Sequence, residues 1–120
     1  MPTAAPVAAS FIVPQTAWED AAAQGVQIST VMLGRFADSD FTRAIYKAGG
    51  ILAAPAYDAY PELVRSALEV EAPAFCFAYF GDLDFAGHLY GPGSPDWCRQ
   101  LEIADQLARD IAGRLPRSAR

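Results

Sequence analysis

Asp84 and His88 are the residues of this sequence whose types and spacing favour metal chemistry. They lie in the stretch DLDFAGHLYGPGSP, residues 82–95, and His88 is the only histidine of the 120 residues. Carboxylate oxygens and imidazole nitrogens are both common zinc ligands. The i, i+4 spacing lets one helical turn or a tight loop aim both side chains at one point. The pair predicts a divalent-metal site, with a surface turn that happens to contain a histidine as the alternative.

An alternation of helices and strands is expected to position this pair. A capping box formed by Thr16 and Glu19 begins the first helix, while Ser94 and Pro95 begin the last. The predicted helices cover 17–24, 41–47, 61–70 and 95–115, and the predicted strands cover 26–33, 51–56 and 74–80. The stretch 82–95 is expected to be a loop that leaves the last strand.

This order predicts an α/β fold, a layered domain with a mostly parallel sheet flanked by helices. The uninterrupted apolar run AFCFAYF at 74–80 predicts a strand in the sheet interior, covered on both faces and parallel to 26–33. Ligands of such sheets bind outside the carboxyl ends of the strands. The chain is expected to form a single partial domain over 1–120, with coil over 1–13.

Composition and charge exclude several classes of function. The formal net charge is −5 and no basic run is present, so a nucleic-acid polymer is not an expected partner. No segment has the length and hydropathy of a membrane span or the pattern of a secretory signal, which predicts a cytoplasmic location. Cys76 and Cys98 are far apart in the sequence and are expected to be buried free thiols.

The residues around His88 resemble the type I phosphodiesterase and nucleotide pyrophosphatase branch of the alkaline phosphatase superfamily. That branch carries an apolar strand, then D-x-x-G-H-x-x-G-P-x-S, then a helix with an internal aspartate. The matching residues here are Asp84, Gly87, His88, Gly91, Pro92, Ser94 and, in the helix, Asp105. The resemblance covers about residues 10–115 and implies an incomplete alkaline-phosphatase-like core.

By this resemblance the chain is a metal-dependent phosphoric ester hydrolase that acts on phosphate esters or nucleotides. Asp84 and His88 would ligate one of two zinc ions, and a threonine or serine nucleophile would attack phosphorus. The single histidine cannot complete both metal shells, and Thr30, Ser39 and Thr42 lack the context of a nucleophile. The sequence is therefore expected to be an internal fragment, inactive alone, without the nucleophile and the C-terminal metal ligands.

Two other interpretations stay open. The chain could be a catalytically inactive structural or metal-binding remnant, which could also serve as an interaction module. It could also come from another branch of the superfamily, such as the sulfatases or the phosphomutase-like enzymes, although no sulfatase modification motif is present. The high apolar content, 52% of the residues, also predicts an exposed apolar surface through which the chain self-associates.

Five further residues lie near the predicted site, and three of them have two possible roles each. Asp82 could support the metal ligands or cap the loop, and Arg35 and Ser39 could touch a substrate or be solvated. Tyr79 is expected to pack in the core, whereas the role of Tyr90 is left open.

Residues of the two flanking helices are also ambiguous. Asp105 could accept a hydrogen bond or be an exposed helix acid. Trp18 and Trp97 are expected to pack in the core.

Overall fold

The computed structural model describes residues 15–46 and 48–117, so the coil predicted over 1–13 lies outside the described residues. The strands are β1 (Gln27–Leu33), β2 (Gly50–Ala54) and β3 (Ala74–Ala78). The helices are α1 (Ala17–Ala23), α2 (Gly34–Ala37), α3 (Asp40–Ile45), α4 (Tyr60–Leu68), α5 (Asp82–Tyr90) and α6 (Pro95–Gly113), with a 3-10 turn at Tyr57–Ala59 before α4.

The three described strands form one parallel sheet in the order β2-β1-β3. Ser29 of β1 aligns with Gly50 of β2 on one side and with Cys76 of β3 on the other. Helices connect the strands, as parallel pairing requires. The prediction of an α/β domain with a parallel sheet flanked by helices is confirmed.

The prediction that β3 lies in the sheet interior is wrong for the described residues. β1 is the central strand and β3 is an outer one. Phe75 on β3 keeps 45% of its surface exposed, although its ring lies 6.0 Å from that of Trp18. The run at 74–80 is apolar because one face of β3 packs against α1 and the other against the core. It does not indicate a neighbouring strand on each side.

The core lies between β1, β2 and α4. It is centred on four buried residues, Val31, Ala54, Tyr60 and Val64. Helix α6 packs Leu107 and Ile111 against this cluster, and Leu115, which follows the helix, also packs there. No residue of α6 is fully buried.

The predicted helix starts are confirmed by their hydrogen bonds. The Thr16 hydroxyl accepts from the backbone N–H of Glu19, whose carboxylate accepts from the Thr16 backbone N–H in return. The Ser94 hydroxyl accepts from the N–H of Trp97, and Pro95 occupies the first turn of α6. These local signals fix where α1 and α6 begin.

The expected loop over 82–95 is instead a helix followed by a turn. α5 occupies Asp82–Tyr90, and Gly91 ends it with a φ of 91°. Acidic Asp82 and Asp84 in the first turn and His88 in the last turn complement the helix dipole. The glycines and prolines that predicted a loop are concentrated after the helix, at 91–95.

The other predicted core residues are partly exposed. Trp18 is half-buried and stacks on Tyr46 with ring centroids 5.0 Å apart, and Trp97 is half-buried against α5. Cys76 is half-buried, and this burial raises the pKa of its thiol. Cys98 is exposed, so the prediction of a buried thiol is wrong at Cys98.

Over the described ranges no helix is both long and apolar enough to span a membrane.

Candidate functional site

Asp84 and His88 meet on the outer surface of α5. Their Oδ1 and Nε2 atoms lie 3.4 Å apart, one helical turn along the axis. The side chains are 78% and 81% exposed respectively, so both polar tips are accessible from solvent. The structure therefore brings the two side chains of the sequence-predicted pair together at a solvent-accessible point.

A cleft borders this pair at the carboxyl edge of the sheet. We call it the edge cleft; it has a volume of about 380 Å³. It lies between α2, which follows β1, and α5, which follows β3. Its lining consists of Arg35, Phe36, Tyr79, Gly81, Asp82, Asp84, Phe85 and His88. The cleft occupies the position at which parallel α/β sheets bind their ligands.

A second groove lies on the other side of Asp84 and His88. Its volume is about 580 Å³, and it is lined by Phe80, Leu83, Asp84, Gly87, His88, Pro92 and Trp97. The two ligand-type side chains therefore form a ridge between two depressions. A group held by both would be approachable from either side.

Asp82 connects the site to the rest of the sheet edge. Its Oδ1 atom accepts a hydrogen bond from Nη2 of Arg35 and another from the hydroxyl of Tyr57, both 3.0 Å long. Burial, followed by the hydrogen bond to Asp82, raises the pKa of Tyr57 to about 12, so the phenol stays a donor at neutral pH. The helix N-cap is Gly81, so Asp82 is not the capping residue that the sequence suggested.

Tyr60 holds the end of β3 through a hydrogen bond from the core. It is fully buried, and its hydroxyl donates a 2.6 Å hydrogen bond to the carbonyl oxygen of Tyr79. The N–H of Tyr79 in turn donates to the carbonyl of Val31, at 2.9 Å. These contacts define where the chain leaves the sheet and enters α5.

Two tyrosines near the motif differ in their surroundings. Tyr79 is half-buried, so the prediction that it packs in the core is met only in part. Its ring contacts Phe36 edge-on, with the centroids 5.8 Å apart, and it lines the edge cleft. Tyr90 is exposed at the end of α5 and contributes to neither of the two depressions. Of the two, only Tyr79 is placed to touch a ligand.

Three hydroxyl residues named from the sequence are engaged inside the fold. Thr30 is buried in the central strand. Thr42 is also buried, and its hydroxyl donates to the carbonyl of Phe36 at 2.6 Å. Ser39 accepts from the Thr42 N–H as the cap of α3. None of the three lines the edge cleft.

Arg35 lines the edge cleft, whereas Ser39 does not. Asp105 is exposed on α6 and forms an ion pair with Arg109 one turn further on.

Tyr57 is the residue that sequence reasoning missed, since it lies 25 positions before Asp82 in a segment without regular periodicity.

The donor chemistry of Asp84 and His88 fits a divalent ion of the zinc type as a partial set of ligands. A firm zinc site has three or four protein ligands. No group of three or more histidine, cysteine, aspartate or glutamate side chains able to hold a metal occurs within 15–46 and 48–117. The described residues therefore offer two ligands to such an ion.

The fold and this site are those of an α/β domain with a ligand cleft at the carboxyl edge of a parallel sheet. The family model for type I phosphodiesterase / nucleotide pyrophosphatase matches residues 3–119, and the chain belongs to that family. No curated protein and no solved structure matches the chain.

Proposed function

We propose that this chain carries part of the active site of a metal-dependent phosphoric ester hydrolase of the phosphodiesterase and nucleotide pyrophosphatase type. The observation that carries the proposal is the Asp84–His88 pair, 3.4 Å apart and open to the edge cleft. The family supports the reaction class and a phosphate-ester or nucleotide substrate.

Asp84 and His88 would hold one divalent ion, with zinc as the preferred metal. Such an ion neutralises phosphoryl oxygens and stabilises a leaving oxygen. Arg35 also lines this cleft, with a side chain that is 60% exposed and paired with Asp82. Because Asp82 and Asp84 line the same cleft, the positive charge that attracts an anionic phosphate ester would be that of the bound ion.

The rest of the reaction machinery is not assigned to described residues. The resemblance implies a second ion, further ligands and a hydroxyl nucleophile. Thr30 is buried, and the hydroxyls of Ser39 and Thr42 have other hydrogen-bond partners. With two protein ligands, zinc binding by this chain is expected to be weak. Hydrolysis by the chain alone is expected to be negligible.

Zinc titration of the chain beside Asp84→Ala and His88→Ala tests the proposal. We expect weak binding by the parent and none by either variant, and a decline in acid because a protonated imidazole cannot ligate. Asp96→Ala is a matched control, since Asp96 is also a first-turn aspartate but lies on α6, outside the site. Equal binding by the parent and both site variants would contradict the assignment of Asp84 and His88.

A nitrophenyl phosphodiester assay with zinc tests the activity. Turnover that disappears on chelation would show that this chain is active alone and would overturn the expectation of inactivity. Zinc binding without turnover, even when the remaining family segments are supplied in trans, would favour the inactive metal-binding remnant. A cytoplasmic location stays a prediction of the sequence.

A further inference from the structure

Helix α5 carries both ligand-type residues, yet few packing contacts hold it to the sheet. Its main contact is with α6, where Gly87 lies against the indole of Trp97. Ala86 is its one buried hydrophobic residue. Its N-cap, Gly81, offers no side-chain hydrogen bond to the first turn. Contacts between α5 and the segments that leave the sheet would add to this packing on α6 in fixing the direction of the helix.

Asp82 supplies such contacts at the first residue of the helix. The hydrogen bonds from Arg35 and Tyr57 reach it from two different elements, α2 after β1 and the 3-10 turn after β2. Asp82 itself follows β3. One carboxylate oxygen thus joins the segments that leave all three strands, at the edge where the cleft opens.

The environment of this junction favours its persistence. The side chain of Asp82 is 31% exposed and that of Arg35 is 60% exposed, so solvent screens their ion pair in part. Tyr57 is half-buried, and its ring packs against Tyr60 and Phe80 at centroid distances of 5.2 and 4.6 Å. Its hydroxyl is therefore held in place by the core.

The geometry points to Asp82 as a positioning residue for the Asp84–His88 pair, acting through the first turn of α5 and with Arg35 and Tyr57 as its anchors. This inference rests on the proposed function insofar as the pair is a metal site. Side chains two positions apart on a helix do not face each other, which separates the anchoring role of Asp82 from the ligand role of Asp84. Partners outside the ligand shell orient ligands in many metal sites.

Four variants of the full chain test this role: Asp82→Ala, Asp82→Asn, Tyr57→Phe and Asp96→Ala. The asparagine variant keeps an oxygen that accepts from Tyr57 and removes only the charge. The control Asp96→Ala removes an aspartate that also lies in a helix first turn and pairs with an arginine, Arg99, but within its own helix.

The first measurement uses the imidazole NMR signals of the metal-free chain at neutral pH, which are unambiguous because His88 is the only histidine. We expect Asp82→Ala to shift these signals, Asp82→Asn and Tyr57→Phe to shift them less, and Asp96→Ala to leave them unchanged. Equal shifts in the alanine and asparagine variants would indicate a charge effect and would overturn positioning.

The second measurement is the zinc dissociation constant, with circular dichroism to establish that each variant is folded. We expect an increase of about tenfold for Asp82→Ala, at the lower end for an outer partner of a metal ligand, and a smaller increase for Asp82→Asn. Wild-type affinity and wild-type imidazole signals in Asp82→Ala would overturn the proposal. So would a loss as complete as in Asp84→Ala, which would make Asp82 a ligand.

The two proposals fail in distinguishable ways. If the parent chain binds no zinc, the metal assignment fails, and the imidazole signals of the metal-free variants still decide the positioning role. If Asp82→Ala does not fold, Asp82→Asn and Tyr57→Phe decide it: imidazole signals identical to the parent's in both would overturn the inference.

Discussion

The region around β1, β2 and α4 and the region formed by α5 and α6 are held together by different means. The first, which we call the core region, buries Val31, Tyr60 and Val64 almost completely. The second, the site region, keeps the large side chains of Phe85, Leu89 and Leu101 substantially exposed. The comparison teaches that the Asp84–His88 pair lies in a region that contributes less to the buried core than β1, β2 and α4 do.

One glycine beside the core region has no room for an added side chain. Gly49 has a φ of 82°, and a Cβ at this position would lie 2.0 Å from the carbonyl oxygen of Ile28. We expect Gly49→Ala to lower the free energy of unfolding by about 3 kcal/mol or more, from backbone strain and overpacking together. Urea denaturation measures this loss.

Gly91 is the matched position in the site region. Its φ is 91°, but nothing lies within 4 Å of an added Cβ. Gly91→Ala should therefore cost only the backbone strain, about 1–3 kcal/mol, because φ 91° with ψ 143° is a conformation that side chains with a Cβ rarely adopt. Equal losses at Gly49 and Gly91 would mean that the two regions are packed alike.

The next largest effect is expected at the Tyr60 hydroxyl. Tyr60→Phe removes the hydrogen bond to the Tyr79 carbonyl while keeping the buried ring. We expect a loss of about 1–2 kcal/mol in the free energy of unfolding. Thermal denaturation with Tyr46→Phe as the control measures it, since Tyr46 stacks on Trp18 outside this region. If Tyr60→Phe had the same free energy of unfolding as the parent, the hydrogen bond from Tyr60 would not be needed to hold the end of β3.

Tyr57, which joins the two regions, gives a pH dependence of defined sign. Its pKa is raised to about 12 because burial and the Asp82 carboxylate disfavour the phenolate. The unfolded value is about 10, so its contribution is complete below pH 10 and is lost as pH rises through 12. The difference in unfolding free energy between the parent and Tyr57→Phe, about 1 kcal/mol below pH 10, should shrink between pH 10 and 12.

Urea denaturation of both proteins across this range measures the difference. A constant difference between pH 10 and 12 would contradict the hydrogen bond from Tyr57 to Asp82.

The smallest effect on stability is expected on the exposed face of α5. Leu89 is exposed there, so Leu89→Gln should change the free energy of unfolding by less than about 0.5 kcal/mol. The same change tests the self-association that the apolar composition predicts. Sedimentation velocity should show weaker concentration dependence in Leu89→Gln than in the parent. A destabilisation of several times this size would mean that α5 is part of the core.

The elements of the fold were predictable where local chemistry decides them. The capping residues Thr16 and Ser94 and the first-turn prolines mark helix starts without reference to the rest of the chain. The outer position of β3 was not predictable, since an apolar run reports burial of side chains and not the number of neighbouring strands. The helical state of 82–90 was missed because Gly87 lowers helix propensity within a short segment.

The candidate site was predictable in its local part only. The i, i+4 spacing of Asp84 and His88 holds in a helix whatever surrounds it, so the pair could be named from the sequence. The partners of Asp82 could not, because Arg35 and Tyr57 are 47 and 25 positions away and meet it only through the strand order. Long-range contacts of this kind depend on the topology.

The sparse burial of α5 has a consequence for the order in which the molecule opens. Amide groups of β1 lie between two paired strands, whereas those of α5 depend on a helix with a single buried apolar side chain. Amide hydrogens of α5 should therefore exchange with deuterium through a local opening that leaves β1 protected. A ligand that binds Asp84 and His88 only when α5 is closed would stabilise the closed helix and suppress this opening, so the exchange rate of α5 would report its occupancy.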